Sequence, residues 1–268
     1  MGYSKPPRLS SIRPMKFGIQ LDEDLREPLC GSDRERLRTL FLEHGLLLFP
    51  GQALSLDEQI DVMEAVGPVL RAKDGVGYVS TDETKGHLGR SELIFHSDLD
   101  FSPYPYKALS LQAIDVPDRA TSTRFASNRN AYDRLSDELK ARLEPLSLMT
   151  GFPVDYDKEN VGREIPPDFH RVTRPPIVGH PDTGKPMLSV SQQAVRFEGM
   201  SLDESNALLR ELFDILYATD NIYEHFWRNG DFVIWDNLAF QHARSALVGH
   251  AQRTLQRVAV GEKSIFDL

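Results

Sequence analysis

The chain has little cysteine and no long apolar segment. Its 268 residues include a single cysteine, Cys30, so no disulfide can form within the chain. The first residues contain no apolar run of the kind that a signal peptide requires, and no stretch approaches the roughly 20 apolar residues of a membrane span. These absences favour a reduced, cytoplasmic protein without a membrane partner.

The chain also lacks the basic excess that nucleic-acid-binding surfaces need. It has 40 Asp and Glu against 31 Lys and Arg, which gives a formal net charge of -9. A surface of this sign repels nucleic acids and anionic membranes, so we expect neither as a partner. Any anionic ligand must instead be held by local arginines.

No stretch rich in Pro, Gly or Ser divides the chain, and no segment has low complexity. Hydrophobic residues make up 40% of the sequence and include 14 Phe and 8 Tyr, which is enough to build a substantial core. We therefore expect one globular domain over residues 1–268, near the upper size limit of a single core.

Helix signals occur at a few places. Ser32 can cap a helix that continues through His44. Ser55 with Glu58, and Ser201 with Glu204, form capping boxes that open two further helices. A short helix is expected at about residues 137–143. These patterns predict helices that pack against a core.

Strand signals dominate the rest of the chain. Residues 46–49 form an apolar run typical of a buried strand. Residues 222–227 and 231–235 flank Asn229-Gly230, which predicts a hairpin because both residues tolerate positive φ. A second hairpin is expected around residues 182–185. The pattern predicts a mainly β fold with flanking helices, a double-sheet jelly roll whose mouth can hold a metal and a small ligand.

His96 and Asp98 are the first residues that indicate chemistry. Their separation matches the side-chain period of a strand, so in an extended segment both side chains lie on one face. Two histidines and one carboxylate form the ligand set that leaves an octahedral Fe(II) with open positions. The same spacing also arises in surface turns, so the metal assignment depends on residues further along the chain.

Arg253 and Arg257 lie in a C-terminal segment, residues 253–260, that has a strand pattern. On a strand, both arginines share one face with Leu255. The planar guanidinium grips a carboxylate with two charge-assisted hydrogen bonds, so this face can line a cavity that holds anions. The segment by itself fits a solvated edge strand equally well.

The order of these residues resembles that of the taurine dioxygenase family, which includes the 2,4-dichlorophenoxyacetate dioxygenases and is related to clavaminate and carbapenem synthases. The matching residues, in chain order, are His96 and Asp98, Trp235-Asp236-Asn237, His242, Arg253 and Arg257. The resemblance extends through most of the chain and includes residues 21–68. Asp236 and Asn237 are expected to shape the turn before the strand that carries His242.

The resemblance implies a double-stranded β-helix of the clavaminate synthase type and an enzyme that uses Fe(II), 2-oxoglutarate and O2. It also implies that His96, Asp98 and His242 ligate the iron. His225 and His250 could in principle replace His242, but neither has its spacing to the tryptophan and the arginines.

The resemblance extends to the cosubstrate and the substrate. Arg253 matches the arginine that pairs with the distal carboxylate of 2-oxoglutarate, and Thr123 matches a threonine that hydrogen-bonds to the same group. Thr121 is close enough in sequence to take that role instead. Arg257 matches the arginine that holds the sulfonate or carboxylate of the substrate.

The chain departs from the family in one place. Family members that hydroxylate taurine carry a histidine just after the second helix, and residues 67–73 contain none, so taurine is disfavoured. Arg71, Lys73 and Tyr78 could line the substrate pocket or lie in a solvated loop. The aromatic residues that could form a wall of the pocket, or pack in the core or a lid, are Phe101, Tyr104 and Tyr106. Trp235 is a further candidate substrate residue.

The predicted function is therefore oxidation, by default hydroxylation, of a C-H bond in a small anionic molecule or natural-product intermediate, with release of succinate and CO2. Desaturation, ring closure, or cleavage of a sulfonate or aryloxy acid are alternatives within the same class. A non-catalytic jelly-roll protein that binds a metal or ligand is the alternative outside it. Relatives form dimers or tetramers, so a homo-oligomer is also an expectation.

Overall fold

α-Helices occur within residues 31–64, 128–143 and 202–216. The structure, a computed structural model, describes residues 8–72, 74–88, 90, 92–119, 121–247 and 252–264. The α-helices within these ranges are α1 Gly31–His44, α2 Leu56–Glu64, α3 Asn128–Arg134, α4 Asp137–Leu143 and α5 Leu202–Leu216. In this part of the chain, no helix has the length and apolar character needed to cross a membrane.

Short strands form most of the remaining regular structure. In chain order they are β1 Ile12–Pro14, β2 Ile19–Leu21, β3 Leu46–Phe49, β4 Val76–Ser80, β5 His87–Leu88, β6 Leu93–His96, β7 Ala108–Asp115, β8 Ser122–Ser127, β9 Leu148–Gly151, β10 Arg171–Arg174, β11 Ile177–Gly179, β12 Pro186–Leu188, β13 Ala194–Phe197, β14 Ile222–Phe226, β15 Phe232–Asp236, β16 Phe240–Arg244 and β17 Thr254–Val260.

Two sheets enclose the central core. The larger has the strand order β1-β2-β3-β15-β7-β17-β4-β5, and the smaller has the order β14-β8-β16-β6. Apolar side chains from both sheets pack in one buried cluster, in which Phe125 of β8 meets Trp235 of β15 at a ring-centroid distance of 5.5 Å. The predicted mainly β jelly roll with flanking helices is confirmed.

Strand alternation explains how the larger sheet is covered on both faces. Along β17, Leu255 and Ala259 point into the core between the sheets, whereas Val258 and Val260 pack beneath α1 and α2. A strand that is buried on both faces needs apolar residues at successive positions. This is why β17 and β3 are apolar along most of their length.

The predicted helices form, with one correction at an N-terminus. Ser55 and Ser201 accept hydrogen bonds from the backbone N-H groups of Glu58 and Glu204, as the capping boxes predict. The cap expected at Ser32 is wrong, because α1 already begins at Gly31 after the extended residue Cys30. A carboxylate oxygen of Asp33 lies 3.4 Å from the backbone nitrogen of Cys30 and accepts its hydrogen bond.

One of the two predicted hairpins is wrong. The turn at Asn229-Gly230 forms, with φ of 85° at Gly230, but β14 pairs with β8 whereas β15 pairs with β3 and β7. A hydrogen bond holds the turn against the segment after β7, since Asn229 Oδ1 accepts from the N-H of Val116 at 2.7 Å. The chain therefore crosses between sheets here. The other hairpin, β11 with β12, forms as predicted.

Candidate active site

His96, Asp98 and His242 come together at the open end of the smaller sheet. His242 of β16 lies directly across from His96 of β6, and the two ring centroids are 4.3 Å apart. Asp98 Oδ1 lies 3.3 Å from His96 Nε2 and 3.7 Å from His242 Nε2. One ligand atom from each residue lies within 4.8 Å of the other two, so the three side chains could hold a metal ion.

His96 and Asp98 were expected to lie on one face of a strand, and this expectation is wrong. β6 ends at His96, and Asp98 lies in the turn that follows, where Leu99 has a φ of 58° that leucine rarely adopts. Asn237 holds this turn, because its Oδ1 accepts from the N-H of Asp98 at 2.9 Å and its Nδ2 donates to the Asp98 carbonyl at 3.0 Å. A residue expected to shape its own turn therefore also positions Asp98.

Asp236 shapes the turn before β16, as expected. Its Oδ1 accepts from the backbone N-H groups of Leu238 and Ala239 at 3.0 and 2.9 Å. Its Oδ2 lies 2.8 Å from His180 Nε2, and both side chains are buried. This contact joins the turn before His242 to the loop between β11 and β12.

The protonation states at the cluster suit a divalent metal. His96 Nδ1 donates to the carbonyl of Ile94 at 2.7 Å, which leaves Nε2 free to act as a ligand. Burial lowers the pKa of His242 to about 3, with a further contribution from His96, so this imidazole is neutral. Burial raises the pKa of Asp98, but the neighbouring His96 side chain and the charge of Arg257 hold it well below its usual range. A neutral imidazole and an ionised carboxylate are donors that Fe(II) accepts.

Arg257 lies against this cluster from the opposite sheet. Its guanidinium donates to Asp98 Oδ2 at 2.7 Å and to the carbonyl of Asp74 at 2.5 Å. It also lies over the ring of Tyr106, 5.4 Å from the centroid. The two oxygens of Asp98 therefore have different partners: Oδ1 faces the histidines and Oδ2 faces the arginine.

Arg253 is a buried cation with unused donors. It directly precedes β17, is 2% exposed, and its Nε and Nη1 make no hydrogen bond with any described residue. Burial lowers the pKa of Arg253 to about 9, with a smaller contribution from Arg244, so the group stays charged at neutral pH. Buried charges normally have a partner, and a carboxylate would satisfy this one.

Two threonines could assist Arg253. Thr123 Oγ1 accepts from Trp227 Nε1 at 3.0 Å, which leaves the threonine hydroxyl free to donate its own hydrogen. Thr121 Oγ1 is buried without a hydrogen-bond partner among the residues that the structure describes. Each hydroxyl therefore has a hydrogen that it can donate to a carboxylate.

A cavity of about 340 Å³ opens beside the metal cluster. His96, Asp98 and Arg257 form one part of its wall. The remaining wall is mostly aromatic and aliphatic, and includes Tyr78, Leu93, Phe101, Tyr106, Phe152, Tyr156 and Gln193. Tyr78 and Phe101, two of the candidate substrate residues, therefore line this cavity.

Two candidate substrate residues lie elsewhere. Arg71 does not line the cavity, because its exposed side chain pairs with Glu64 at 2.5 Å on the surface. Trp235 is buried behind the metal cluster and packs edge-on against His242, with ring centroids 5.1 Å apart. Lys73 and His250 lie outside the described residues.

Sequence reasoning missed Phe152, Tyr156 and Gln193. They lie in irregular segments more than 50 residues from His96, and no motif marks them. The available signal was the occurrence of three aromatic residues, 152, 156 and 169, in an otherwise polar region. Phe152 and Phe169 do pack edge-to-face, with ring centroids 5.2 Å apart.

Comparisons with known proteins agree with this geometry. The model of the "Taurine catabolism dioxygenase TauD, TfdA family" matches residues 11–259. The (S)-phenoxypropionate/alpha-ketoglutarate-dioxygenase of Sphingobium herbicidovorans is 29% identical over 231 residues, which cover 77% of this chain and 78% of the relative. The alpha-ketoglutarate-dependent 2,4-dichlorophenoxyacetate dioxygenase of Cupriavidus pinatubonensis is 27% identical over 277 residues, covering 91% and 94%.

A solved structure gives the same result. The crystal structure of AAD-2 in complex with Mn(II) and N-oxalylglycine superposes with a TM-score of 0.80 at 26% sequence identity. The match covers 95% of this chain and 97% of AAD-2. The similarity thus extends over the whole jelly roll and its flanking helices.

Proposed function

Because the chain belongs to the taurine catabolism dioxygenase TauD, TfdA family, we propose that it hydroxylates a C-H bond of a small organic anion. It is a 2-oxoglutarate-dependent dioxygenase that uses Fe(II). The identity of the anion and the outcome of the oxidation are the parts of this statement that are proposed.

We assign the iron to His96, Asp98 and His242, on the convergence of their ligand atoms. Arg253 and Thr123 would hold the distal carboxylate of 2-oxoglutarate, which would supply the partner that the buried guanidinium lacks. Fe(II) with 2-oxoglutarate and O2 supplies the oxidising chemistry, and 2-oxoglutarate is converted to succinate and CO2. The residues of the chain bind and orient the metal, the cosubstrate and the substrate, and they exclude water.

The observation that carries the substrate class is the position of Arg257 in a largely apolar cavity beside the metal cluster. An arginine at one end and aromatic walls at the other suit a carboxylate or sulfonate with an apolar body. Two relatives are named for phenoxypropionate and 2,4-dichlorophenoxyacetate, carboxylates that carry an aromatic ring. Arg257 would orient the anionic group, and Tyr78 and Phe101 would contact the rest of the molecule.

The test is succinate formation by purified protein with Fe(II), ascorbate and 2-oxoglutarate. We expect slow succinate formation without a substrate, and faster formation with a subset of a panel of aryloxy acids, sulfonates, amino acids and natural-product scaffolds. His96→Ala is the matched control and should lose both activities. Mass analysis of the product would distinguish hydroxylation from desaturation, cyclisation or cleavage. Absence of succinate from the wild type under all conditions would refute the proposal.

A further inference from the structure

Gln193 is a buried polar residue in the wall of the cavity beside the metal cluster. It is 4% exposed and lines the same cavity as His96, Asp98 and Arg257. Its Oε1 is buried without a partner, and its side-chain amide makes no hydrogen bond with any residue in the described part of the chain. Buried polar groups are normally hydrogen-bonded, so this amide requires an explanation.

The backbone of Gln193 is firmly held although its side chain is not. Its N-H donates to Ser191 Oγ at 3.3 Å. Its carbonyl accepts from the N-H of Gly151 at 3.2 Å and from Asn160 Nδ2 at 3.3 Å. Three hydrogen bonds therefore fix the position from which the unpaired side chain extends.

The preceding residue attaches this loop to a strand of the active site. Gln192 Oε1 accepts from the N-H of Phe95 at 2.8 Å, and the N-H of Gln192 donates to the Phe95 carbonyl at 3.2 Å. Phe95 directly precedes His96 on β6. Two hydrogen bonds therefore join the loop that carries Gln193 to the strand that carries His96.

Another buried amide near the site is fully paired. Gln241 donates through Nε2 to Asn128 Oδ1 and to the Val190 carbonyl, both at 2.7 Å, and accepts from the hydroxyl of Tyr217 at 2.7 Å. Gln241 is thus a structural amide. Gln193 differs because its unpaired amide lies at a ligand-sized cavity.

We infer that Gln193 is a specificity-determining residue whose side chain hydrogen-bonds to an amide group of the substrate. The inference rests on the proposed function, because it adds a second polar contact to the anion held by Arg257. An amide both donates and accepts, so it can pair with whichever end of the Gln193 amide faces the cavity, in either orientation of that side chain. The substrate class is a carboxylate with an amide between its anionic group and its apolar body, such as an N-acyl amino acid.

A matched pair of probes tests this assignment. N-benzoylglycine and 4-phenylbutanoate have the same spacing between ring and carboxylate, and an amide in the first replaces two methylene groups in the second. We expect the wild type to prefer N-benzoylglycine about tenfold, in kcat/KM for succinate formation and in Kd measured by calorimetry with Mn(II) and 2-oxoglutarate bound. Gln193→Met should reduce this preference to about one and leave the Kd for 2-oxoglutarate unchanged.

Thermal stability separates this role from a structural one. Replacing an unpaired amide by an apolar side chain of similar volume removes no hydrogen bond, so Gln193→Met and Gln193→Leu should keep the Tm of the probe-free protein. Gln241→Met is the control, and its loss of three hydrogen bonds should lower the Tm. A comparable fall of Tm in the Gln193 variants would show that Gln193 is structural.

The remaining outcomes are also decisive. Equal preference in the wild type and Gln193→Met overturns the inference, as does a wild type that forms succinate from 2-oxoglutarate but binds neither probe. In both cases the proposed function stands. Absence of succinate in every assay refutes the proposed function instead, and the calorimetric comparison of the two probes still tests Gln193.

Discussion

The side chain of Asn237 makes two hydrogen bonds to the backbone of Asp98. Its side-chain oxygen accepts from the Asp98 N-H at 2.9 Å, and its side-chain nitrogen donates to the Asp98 carbonyl at 3.0 Å. The same nitrogen donates to the carbonyl of Tyr106 at 2.8 Å. The carboxylate of the metal cluster is thus positioned by a residue five places before His242 in the sequence.

Removal of this contact should weaken metal binding. We expect Asn237→Ala to reduce Mn(II) affinity about 10- to 100-fold in calorimetry, the usual effect of removing a residue that orients a metal ligand. Asn128→Ala is the control, because Asn128 donates to the carbonyl of Leu238 in the same turn without contacting Asp98. An equal loss of affinity in both variants would indicate general damage to the turn.

Arg253 and Arg257 should affect different ligands. Arg253→Gln should raise the Kd of 2-oxoglutarate roughly 10- to 100-fold, because hydrogen bonds to charged groups contribute about 1.5–3 kcal/mol each. Arg257→Gln should instead weaken binding of the anionic substrate more than binding of 2-oxoglutarate. Calorimetry with each ligand in turn measures both effects. Similar losses for both ligands in both variants would contradict this division.

The two threonines can be separated by Val substitutions. We expect Thr123→Val to weaken 2-oxoglutarate binding about tenfold, because its hydroxyl is oriented by the hydrogen bond from Trp227 Nε1. Thr121→Val should leave the Kd nearly unchanged. The reverse result in the same titration would assign the cosubstrate contact to Thr121.

Trp235 should stabilise the fold and not select the substrate. Trp235→Ala should cost about 3–5 kcal/mol in urea unfolding, because it leaves a cavity against His242 and Phe125. Trp235→Phe should cost less, since Nε1 of Trp235 makes no hydrogen bond with the described residues. The Phe variant should also keep the wild-type KM for the substrate. A large rise in KM at unchanged stability would restore a substrate role.

The ligands should stabilise the folded protein by mass action. With Mn(II) bound, 2-oxoglutarate at about 100 times its Kd should add about 2.7 kcal/mol to the free energy of unfolding. The resulting rise in Tm should disappear when EDTA removes the metal or when His96 is replaced by Ala. A rise that persists in His96→Ala would place the ligand elsewhere.

Elements defined by neighbouring residues could be predicted from the sequence. The helices after Ser55 and Ser201 begin as expected, because a capping box is completed within four residues. The turn at Asn229-Gly230 was also correct, since it depends on positive φ. The pairing of the strands around it was wrong, because strand partners are chosen by burial between sheets that the local sequence does not describe.

In the candidate site, too, some features could be predicted from the sequence and others depend on tertiary contacts. The types and order of His96, Asp98 and His242 indicated a metal site, because the chemistry of a ligand resides in the residue itself. The same reasoning left Arg71 open between the substrate pocket and a solvated loop, and it overlooked Gln193. A residue lines the cavity only if the fold places its segment there. The sequence around Gln193 contains no motif that predicts this placement.

The sequence by itself determined the chemistry of this protein: a set of imidazole, carboxylate and guanidinium groups whose order identifies the family and its oxidant. Only the tertiary structure decided which residues surround the substrate and how the ligands are held. The reason is physical, since ligand type is a property of single side chains, whereas the shape and polarity of a cavity arise from contacts between distant segments. The tie between Asn237 and Asp98 and the unpaired amide of Gln193 exist only in the folded chain.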